Sequence, residues 1–102
     1  MKDLTKRKAI RSKAITQAAY GEDCCMCGRN DNTTVACHLN EQWAGKGMGL
    51  KASDIAIFFG CSTCHKDYDV YARISDKQLM RAMYRTWVRL IEMGIIQIKG
   101  MK

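Results

Sequence analysis

The sequence predicts one small domain of the α+β class over residues 1–102, and three observations lead to this prediction. The chain has 102 residues, the usual size of a single domain, and it contains no proline and no low-complexity linker at which a boundary would fall. Its 47% of apolar and 26% of charged residues are an ordinary globular composition. Helical periodicity is found towards the two ends, whereas the middle holds two short runs typical of strands.

The first two thirds of the chain predict a basic helix, two strands and a second helix. Residues 1–20 form a basic arm whose apolar residues recur at roughly helical spacing, so we expect a short helix that ends near Gly21. The β-branched run 33–39 and the apolar run 55–59 are each expected to form a strand. The second helix is expected over residues 65–73.

The clearest predicted element is the C-terminal helix, over residues 75–94. Ser75 is a favourable N-cap, and Gly94 suits the position after the helix end, where glycine adopts a left-handed backbone without strain. We expect an apolar, buried face formed by Met80, Met83, Trp87, Leu90 and Ile91. Basic residues recur every four positions on a different face, at Lys77, Arg81, Arg85 and Arg89. Residues 95–99 are expected to add a short closing strand.

The charge of the chain indicates its class of partner. The formal net charge is +7 and the sequence pI is about 9.3. This balance favours a polyanion, with nucleic acid as the first candidate, although an inert basic surface has the same composition. The N-terminus has no signal-peptide core, and apolar runs such as 55–59 are too short to cross a bilayer. We therefore expect a cytoplasmic protein with no membrane partner, in a compartment where thiols stay reduced.

Six cysteines in a reduced compartment indicate metal binding before disulfide formation. Four of them form two Cys-x2-Cys pairs with 33 residues between the pairs: Cys24, Cys27, Cys61 and Cys64. Two such pairs complete the tetrahedral shell of one structural Zn²⁺ ion, which would hold together a ββα core over residues 22–73. A redox-active pair is the alternative, but no thioredoxin-like βαβ pattern accompanies it. Cys25 has no assigned role, although it could pair with Cys27 as a metal ligand in a strained arrangement. Cys37 is expected to be a small buried apolar residue.

The chain has two histidines, and both lie beside predicted elements of this core. His38 closes the first predicted strand, and His65 directly follows the last cysteine of the second pair. A lone histidine is more often a packing residue than a catalytic one. Imidazole nevertheless has an unperturbed pKa of about 6.5, which suits a general base near neutral pH. The two histidines are therefore candidates for a catalytic site, with ordinary packing as the alternative.

Three segments carry a resemblance to a known family: Cys24-x2-Cys27, Cys37-His38-Leu39 and Cys61-x2-Cys64-His65. With them the sequence resembles the HNH endonucleases, also called ββα-metal nucleases, and is most similar to the YbcO-like nucleases of phages and prophages. The shared features are a basic N-terminus, a glycine-rich loop between the strands and the run Cys-x2-Cys-His-x3-Asp, which ends here at Asp69. The resemblance covers residues 20–70 and extends loosely into the C-terminal helix.

The resemblance implies an HNH-like ββα-metal fold. It also implies a metal-dependent DNA endonuclease that hydrolyses phosphodiester bonds in phage or prophage DNA processing or recombination, in the cytoplasm of a bacterial host. His38 would be the general base, and His65 would bind a catalytic divalent cation, which could be Mg²⁺, Mn²⁺, Ni²⁺ or Zn²⁺. Asp69 shares a helical face with His65 and is either a second ligand or a solvated acid. Two positions depart from the family pattern: Cys37 stands where many members have a metal ligand, and Asp54 lies two residues early for the middle Asn.

Two basic groups are candidates for contacts with DNA phosphates. Lys46 and Lys51 flank glycines of the predicted loop, and the C-terminal helix carries Arg81, Arg85 and Arg89. The alternatives are a plain mobile loop and a solvated helix face. Phosphate contacts give affinity that depends on salt and hardly on base sequence. A non-catalytic zinc-stabilised DNA-binding module is the alternative function, and a protein-interaction zinc domain is a third.

Overall fold

The structure, a computed structural model, describes residues 9–41, 44 and 51–101 and confirms the α+β class. The elements and their bounds are α1 Lys13–Gln17, β1 Val35–His38, β2 Ile57–Gly60, α2 Ser62–Asp69 and α3 Asp76–Glu92. The succession of β1, β2 and α2 is the predicted ββα order. One cysteine pair precedes β1 and the other lies at the junction of β2 and α2. The two strands therefore bring the second cysteine pair close to the first.

β1 and β2 form a two-stranded antiparallel sheet. Its register places His38, the last residue of β1, opposite Ile57, the first residue of β2. All four residues of β2 are buried, and successive side chains point to opposite faces. Gly60 is required at the end of β2, because a Cβ atom there would lie 2.5 Å from the Phe58 ring and 2.9 Å from Cys37 Sγ.

Two apolar clusters lie on the two faces of this sheet. The first contains Cys37, Leu39, Phe58, Leu79 and Ala82. The second contains Ile15, Ala19, Ile57, Phe59 and Leu90. α3 contributes to both clusters and α1 to the second, so β2 is covered on both faces. Burial of each large apolar side chain stabilises the fold by about 1.5–3 kcal/mol, which explains why so short a sheet is kept in place.

The outer edge of β2 is closed by groups from α3 and from the first cysteine pair. The Phe59 N–H donates to the Thr86 hydroxyl (2.9 Å), and the Phe59 carbonyl accepts from the backbone N–H of Cys25 (2.7 Å). The Thr86 hydroxyl donates in turn to the Ala82 carbonyl (2.8 Å), so this fully buried polar group is satisfied. The first cysteine pair is thereby fixed against the sheet.

α3 begins and ends where the sequence predicts. The Ser75 hydroxyl accepts from the Gln78 N–H (3.2 Å), and the Gln78 side chain accepts from the Ser75 N–H (2.8 Å), which together form a capping box. Met93 is the C-cap, and Gly94 follows it with a φ of +74°. Loss of an N-cap of this kind costs about 0.5–2 kcal/mol.

The predicted apolar face of α3 is wrong in part. The side chains that α3 buries are Leu79, Ala82, Thr86 and Leu90. Met80 is 70% exposed and Trp87 is 37% exposed, whereas the predicted residues Met83 and Leu90 do pack against the core. The difference arises because the polar Thr86 is buried with both hydrogen-bonding roles of its hydroxyl used. Its burial turns the helix so that Met80 and Trp87 face outwards.

The N-terminal helix is shorter than predicted. Within the described residues it spans only Lys13–Gln17. Ser12 is its N-cap, and the Ser12 hydroxyl accepts from the Ile15 N–H (3.3 Å). The first eight residues of the predicted basic arm lie outside the described residues. The predicted helix 65–73 is found as α2, which begins earlier because Cys61 takes the N-cap position.

The predicted closing strand over residues 95–99 is not formed. The backbone N–H groups of Ile95 and Ile96 instead donate to the Leu90 carbonyl, at 3.0 and 3.2 Å. These two N–H groups, which a strand would need for pairing, are thus bonded to the last turn of α3. Among the described helices, none combines the length and the hydropathy needed to cross a bilayer.

Candidate functional site

Four cysteine sulfurs form one compact group, as the sequence predicts: Cys24, Cys27, Cys61 and Cys64. All four Sγ atoms lie within 4.8 Å of one another, and none of these cysteines is in a disulfide. The Cys27 and Cys61 sulfurs are 3.7 Å apart. A tetrahedral Zn²⁺ ion with bonds of about 2.3 Å to sulfur requires a separation of about 3.8 Å between its ligands. The spacing and the donor set therefore fit a zinc ion bound by four thiolates.

The first cysteine pair lies in a tight turn with the hydrogen bonds of a zinc knuckle. The Cys24 carbonyl accepts from the Gly28 N–H (2.8 Å), and the Cys24 N–H donates to the Arg29 carbonyl (2.8 Å). The Cys27 N–H points at the Cys24 sulfur (3.4 Å). Gly28 has a φ of +82°, a conformation that other residues adopt only with strain. This turn brings the two sulfurs to the same side.

The second pair lies at the beginning of α2. Cys61 is the N-cap of that helix, and Cys64 is in its first turn. Ser62 ties this helix start to the segment before β1, because its N–H donates to the Thr33 hydroxyl (2.9 Å). The second pair is thus held by both the sheet and the helix.

The protonation of these thiols depends on a bound cation. Burial raises the pKa of Cys24, but backbone hydrogen bonds from Cys61, Cys27 and Met26 outweigh it and lower that pKa to about 7. Burial and the neighbouring thiols raise the pKa of Cys64 far above its usual value. One thiolate is therefore accessible at neutral pH without metal, whereas four thiolates in this space require a cation to offset their repulsion.

The two remaining cysteines are structural. Cys37 is fully buried beside Gly60, and burial raises the pKa of its thiol to about 12. It is therefore a neutral apolar residue, as the sequence predicts. Cys25 is half-buried, its backbone N–H donates to the edge of β2, and its sulfur is not part of the sulfur group.

His38 forms a hydrogen-bonded pair with Asp54. The Nε2 atom of His38 lies 2.8 Å from Asp54 Oδ1, and Asp54 is only 4% exposed. Burial raises the pKa of Asp54, but hydrogen bonds from His38 and from the Ser12 N–H, with the charges of His38 and Arg11, hold that pKa below its ordinary value. Asp54 is thus a carboxylate that accepts a hydrogen bond from the Nε2–H group of His38. The basic nitrogen of a neutral His38 is then Nδ1.

The segment before α1 holds Asp54 in place. The Ser12 N–H donates to Asp54 Oδ2 (2.7 Å), and the Asp54 N–H donates to the Ile10 carbonyl (2.8 Å). The Arg11 guanidinium donates to the carbonyls of Ala52 (2.5 Å) and Lys51 (2.8 Å) and lies 3.5 Å from Asp54. Because these bonds fix the carboxylate, they also fix the orientation of the imidazole that it contacts.

His65 and Asp69 lie in α2, one helical turn apart, as the sequence predicts. The Asp69 carboxylate accepts from the Asn40 side-chain amide, and the Asn40 N–H donates to the Tyr68 hydroxyl (2.9 Å). The end of β1 is therefore bonded to the end of α2. Within residues 9–41, 44 and 51–101, however, the four cysteines are the one group of three or more potential metal ligands, so neither His65 nor Asp69 is part of such a group.

The predicted DNA-contact residues do not share one environment. Arg81 and Lys51 are exposed, and Lys46 lies outside the described residues. Arg85 donates to the Cys25 carbonyl (3.2 Å). Arg89 forms an ion pair with Glu22 and lies 3.9 Å from Glu92. The predicted stripe of uniform positive charge is thus partly neutralised at its C-terminal end, where acidic side chains approach it.

The comparison with protein families shows to which family the chain belongs. The model of the family described as "Putative nuclease YbcO" matches residues 13–95. The chain belongs to the YbcO family. The match includes the four cysteines of the sulfur group, both histidines and Asp54, but not Arg11 or Ser12. No curated protein and no solved structure gives a significant match.

Membership of the YbcO family indicates a nuclease, and hence a nucleic-acid substrate. Two residues of this YbcO protein were not predicted to act at the site: Asp54 as the partner of His38, and Asn40 as the partner of Asp69. Both contacts join segments that are far apart in the sequence. The register that pairs His38 with Ile57 brings Asp54, three residues earlier, close to the end of β1. An acidic residue just before the second strand was the available signal.

Replacing Asp54 by asparagine is expected to lower the free energy of unfolding by about 1–3 kcal/mol at neutral pH, because the buried carboxylate accepts two short hydrogen bonds. Since the folded-state pKa of Asp54 lies below its unfolded value of about 3.9, this stabilisation is present above that value and is lost as the pH falls through the lower folded pKa. Urea unfolding at several pH values should show a constant gap between the two proteins above about pH 5. The gap should close below about pH 4, and a gap that widens there would contradict the assignment.

Proposed function

We propose that the chain is a metal-dependent DNA endonuclease of the HNH type, in which His38 is the general base. The observation that carries this proposal is the contact between His38 Nε2 and the buried Asp54 carboxylate, at 2.8 Å. Membership of a nuclease family and the net charge of +7 support it. The setting implied by the resemblance is processing or recombination of phage or prophage DNA in the cytoplasm of a bacterial host.

In this mechanism His38 prepares a water molecule for attack on phosphorus. Nδ1 of His38 accepts a proton from the water while the Nε2–H group keeps its proton and its hydrogen bond to Asp54, whose negative charge stabilises the imidazolium that forms. The water oxygen forms a bond to phosphorus, and the bond from phosphorus to one ester oxygen breaks. The leaving oxygen takes up a proton, so the products are a phosphomonoester and a hydroxyl group.

Two metals with different roles belong to this proposal. Four thiolates leave no open coordination position on zinc, so the zinc ion would be structural. A second divalent cation, Mg²⁺, Mn²⁺, Ni²⁺ or Zn²⁺, would neutralise charge on the phosphate and the leaving oxygen. His65 and Asp69 would be its ligands, and Asn40 would orient Asp69 through its side-chain amide.

DNA phosphates would be bound by the basic residues that remain available to solvent. Lys51, Arg81 and Arg85 are exposed and are proposed as phosphate contacts, together with Lys46. Arg89 is the weakest member of the predicted set, because Glu22 already neutralises it. Contacts of this kind predict affinity that falls steeply as salt is added.

Cleavage of supercoiled plasmid by zinc-loaded protein tests the proposal. With Mg²⁺, Mn²⁺, Ni²⁺ or additional Zn²⁺ as the added cation, at least one reaction should convert supercoiled circles to relaxed and then linear DNA. A reaction without added divalent cation should leave the plasmid intact. Absence of cutting in every metal, by protein shown to be folded and to bind DNA, would contradict an endonuclease.

A non-catalytic zinc-stabilised DNA-binding module is the second candidate, and one observation favours it. Among the described residues, no group of three or more potential ligands surrounds His65 and Asp69. A cation bound by these two side chains alone would be held weakly. The same experiment separates the candidates, because the module would shift the plasmid in a gel without cutting it in any metal.

A further inference from the structure

α3 carries large apolar side chains that are exposed at the surface. Met80 and Tyr84 are 70% and 71% exposed, and Trp87 is 37% exposed. Their spacings of four and three residues place them on one side of the helix, next to each other. We call this surface the Tyr84 face. The core of the molecule is packed against a different side of α3, through Leu79, Ala82, Thr86 and Leu90.

The Tyr84 face is bordered by positive charge. Lys77 and Arg81 are exposed and precede Met80 and Tyr84 by three residues each, so they lie on the neighbouring row of the helix. From Lys77 to Ile91 the sequence of α3 contains no acidic residue. Aromatic rings beside lysine and arginine, without carboxylates between them, complement a ligand that carries both planar bases and phosphates.

The Tyr84 face is also continuous with the candidate catalytic pair. The indole N–H of Trp87 donates to the Ile55 carbonyl (3.2 Å), and Ile55 directly follows Asp54, which holds His38. This bond fixes one edge of the Trp87 ring, so the ring needs little further ordering when a ligand stacks on it. A strand bound along α3 would therefore lead towards the segment that positions the general base.

We propose that the Tyr84 face binds unpaired bases of single-stranded DNA, with Tyr84 and Trp87 as stacking surfaces and Lys77 and Arg81 as phosphate contacts. This inference rests on the proposed function, since it names the form of DNA that the same protein would accept. A second copy of the chain is a poorer occupant, because two chains of net charge +7 repel each other and Lys77 and Arg81 border the surface that would have to pair. The preferred substrate is then DNA in which a single strand adjoins a duplex.

Fluorescence anisotropy with labelled DNA tests this inference without relying on cleavage. Zinc-loaded protein is titrated, with no added divalent cation, into a 15-nucleotide single strand and into a duplex of the same length. Tyr84→Ala should weaken binding of the single strand by about 5- to 150-fold, the range for loss of one stacked base, and should change duplex binding less than about twofold. Tyr84→Phe should retain the affinity of the original protein.

A matched control is Tyr20→Ala, which removes another tyrosine that is 67% exposed but lies outside α3. It should leave both affinities unchanged. Unchanged single-strand binding in Tyr84→Ala would overturn the inference, and so would an equal loss for single strand and duplex. A change from dimer to monomer in Tyr84→Ala, seen by sedimentation without loss of DNA binding, would assign the Tyr84 face to a second copy and would also overturn it.

The outcome is independent of whether the chain cuts DNA. Tyr84-dependent binding of single strands by a protein that cuts nothing would support this inference and refute the endonuclease. Metal-dependent cutting, with single-strand affinity unaffected by Tyr84→Ala, would support the endonuclease and refute this inference. Because Tyr84 is exposed, its replacement should leave the thermal unfolding midpoint unchanged, and that measurement accompanies each titration.

Discussion

Replacement of Cys64 by serine is expected to abolish cooperative folding of the chain at neutral pH. Apparent binding free energies of structural zinc in small modules are about 10–16 kcal/mol, which equals or exceeds the net stability of about 5–15 kcal/mol of an ordinary domain. Zinc analysis should find about one ion per chain in the original protein and none in the variant. Circular dichroism on heating should show a cooperative transition only in the original protein.

The reason lies in the segments that the sulfur group connects. Cys64 is buried in the first turn of α2, whereas Cys24 and Cys27 lie in the turn that is fixed to the edge of β2. Without the ion, the described contacts between these elements are hydrogen bonds and the packing of Met26 and Cys25, around thiols that are costly to ionise together. Removal of one ligand thus disconnects the first turn from the ββα core.

A matched control for this experiment is Cys25→Ser. Cys25 lies between the two ligands of the same turn but is not part of the sulfur group, so this variant should keep its zinc and most of its stability. A chelator strong enough to remove zinc should reproduce the unfolding of Cys64→Ser. Zinc-free protein that still unfolds cooperatively at the original temperature would contradict a structural role for the ion.

Replacement of His38 by alanine is expected to lower the rate of plasmid cleavage by about 10²- to 10⁴-fold, the usual contribution of a general base. Initial rates of nicking in the best cation measure the effect. His38 is half-buried, and Asp54 keeps its bonds to Ser12 and Arg11 in the variant, so the fold should persist. DNA affinity should change little, because no phosphate contact is assigned to His38.

Two further measurements separate a catalytic from a structural effect of this substitution. Added imidazole should restore part of the activity of His38→Ala, since it supplies the missing base in the space of the side chain. His38→Gln can still donate to Asp54 but has no basic nitrogen, so it should be as inactive as the alanine variant. Equal cutting by the original protein and by both variants would show that His38 is not the base.

The sequence predicted those features that local chemistry determines. The Cys-x2-Cys spacing predicted the sulfur group, because two thiolates separated by only two residues can reach the same ion. Ser75 and Gly94 predicted the ends of α3, because helix caps act through neighbouring residues. The strands were predicted to within two residues at each end. Residues 1–102 as a single domain remain a prediction.

What could not be predicted depends on contacts between distant segments. Thr86 is polar, and its burial depends on the Phe59 N–H at the edge of β2, which donates to the Thr86 hydroxyl. This burial decides which face of α3 is exposed. Likewise, Asp54 becomes the partner of His38 through strand register and through the segment before α1. None of these pairings leaves a periodic pattern in the sequence.

The bond between the Cys25 N–H and the Phe59 carbonyl also affects how the protein behaves in a cell that is short of zinc. A strand edge with unsatisfied backbone groups pairs readily with other chains, and β2 is the more apolar of the two strands in the described part of the chain. The turn that carries Cys24 and Cys27 covers that edge. Loss of zinc would therefore not simply inactivate the protein but would uncover an aggregation-prone strand, which would link the abundance of the intact protein to the metal supply of the cell.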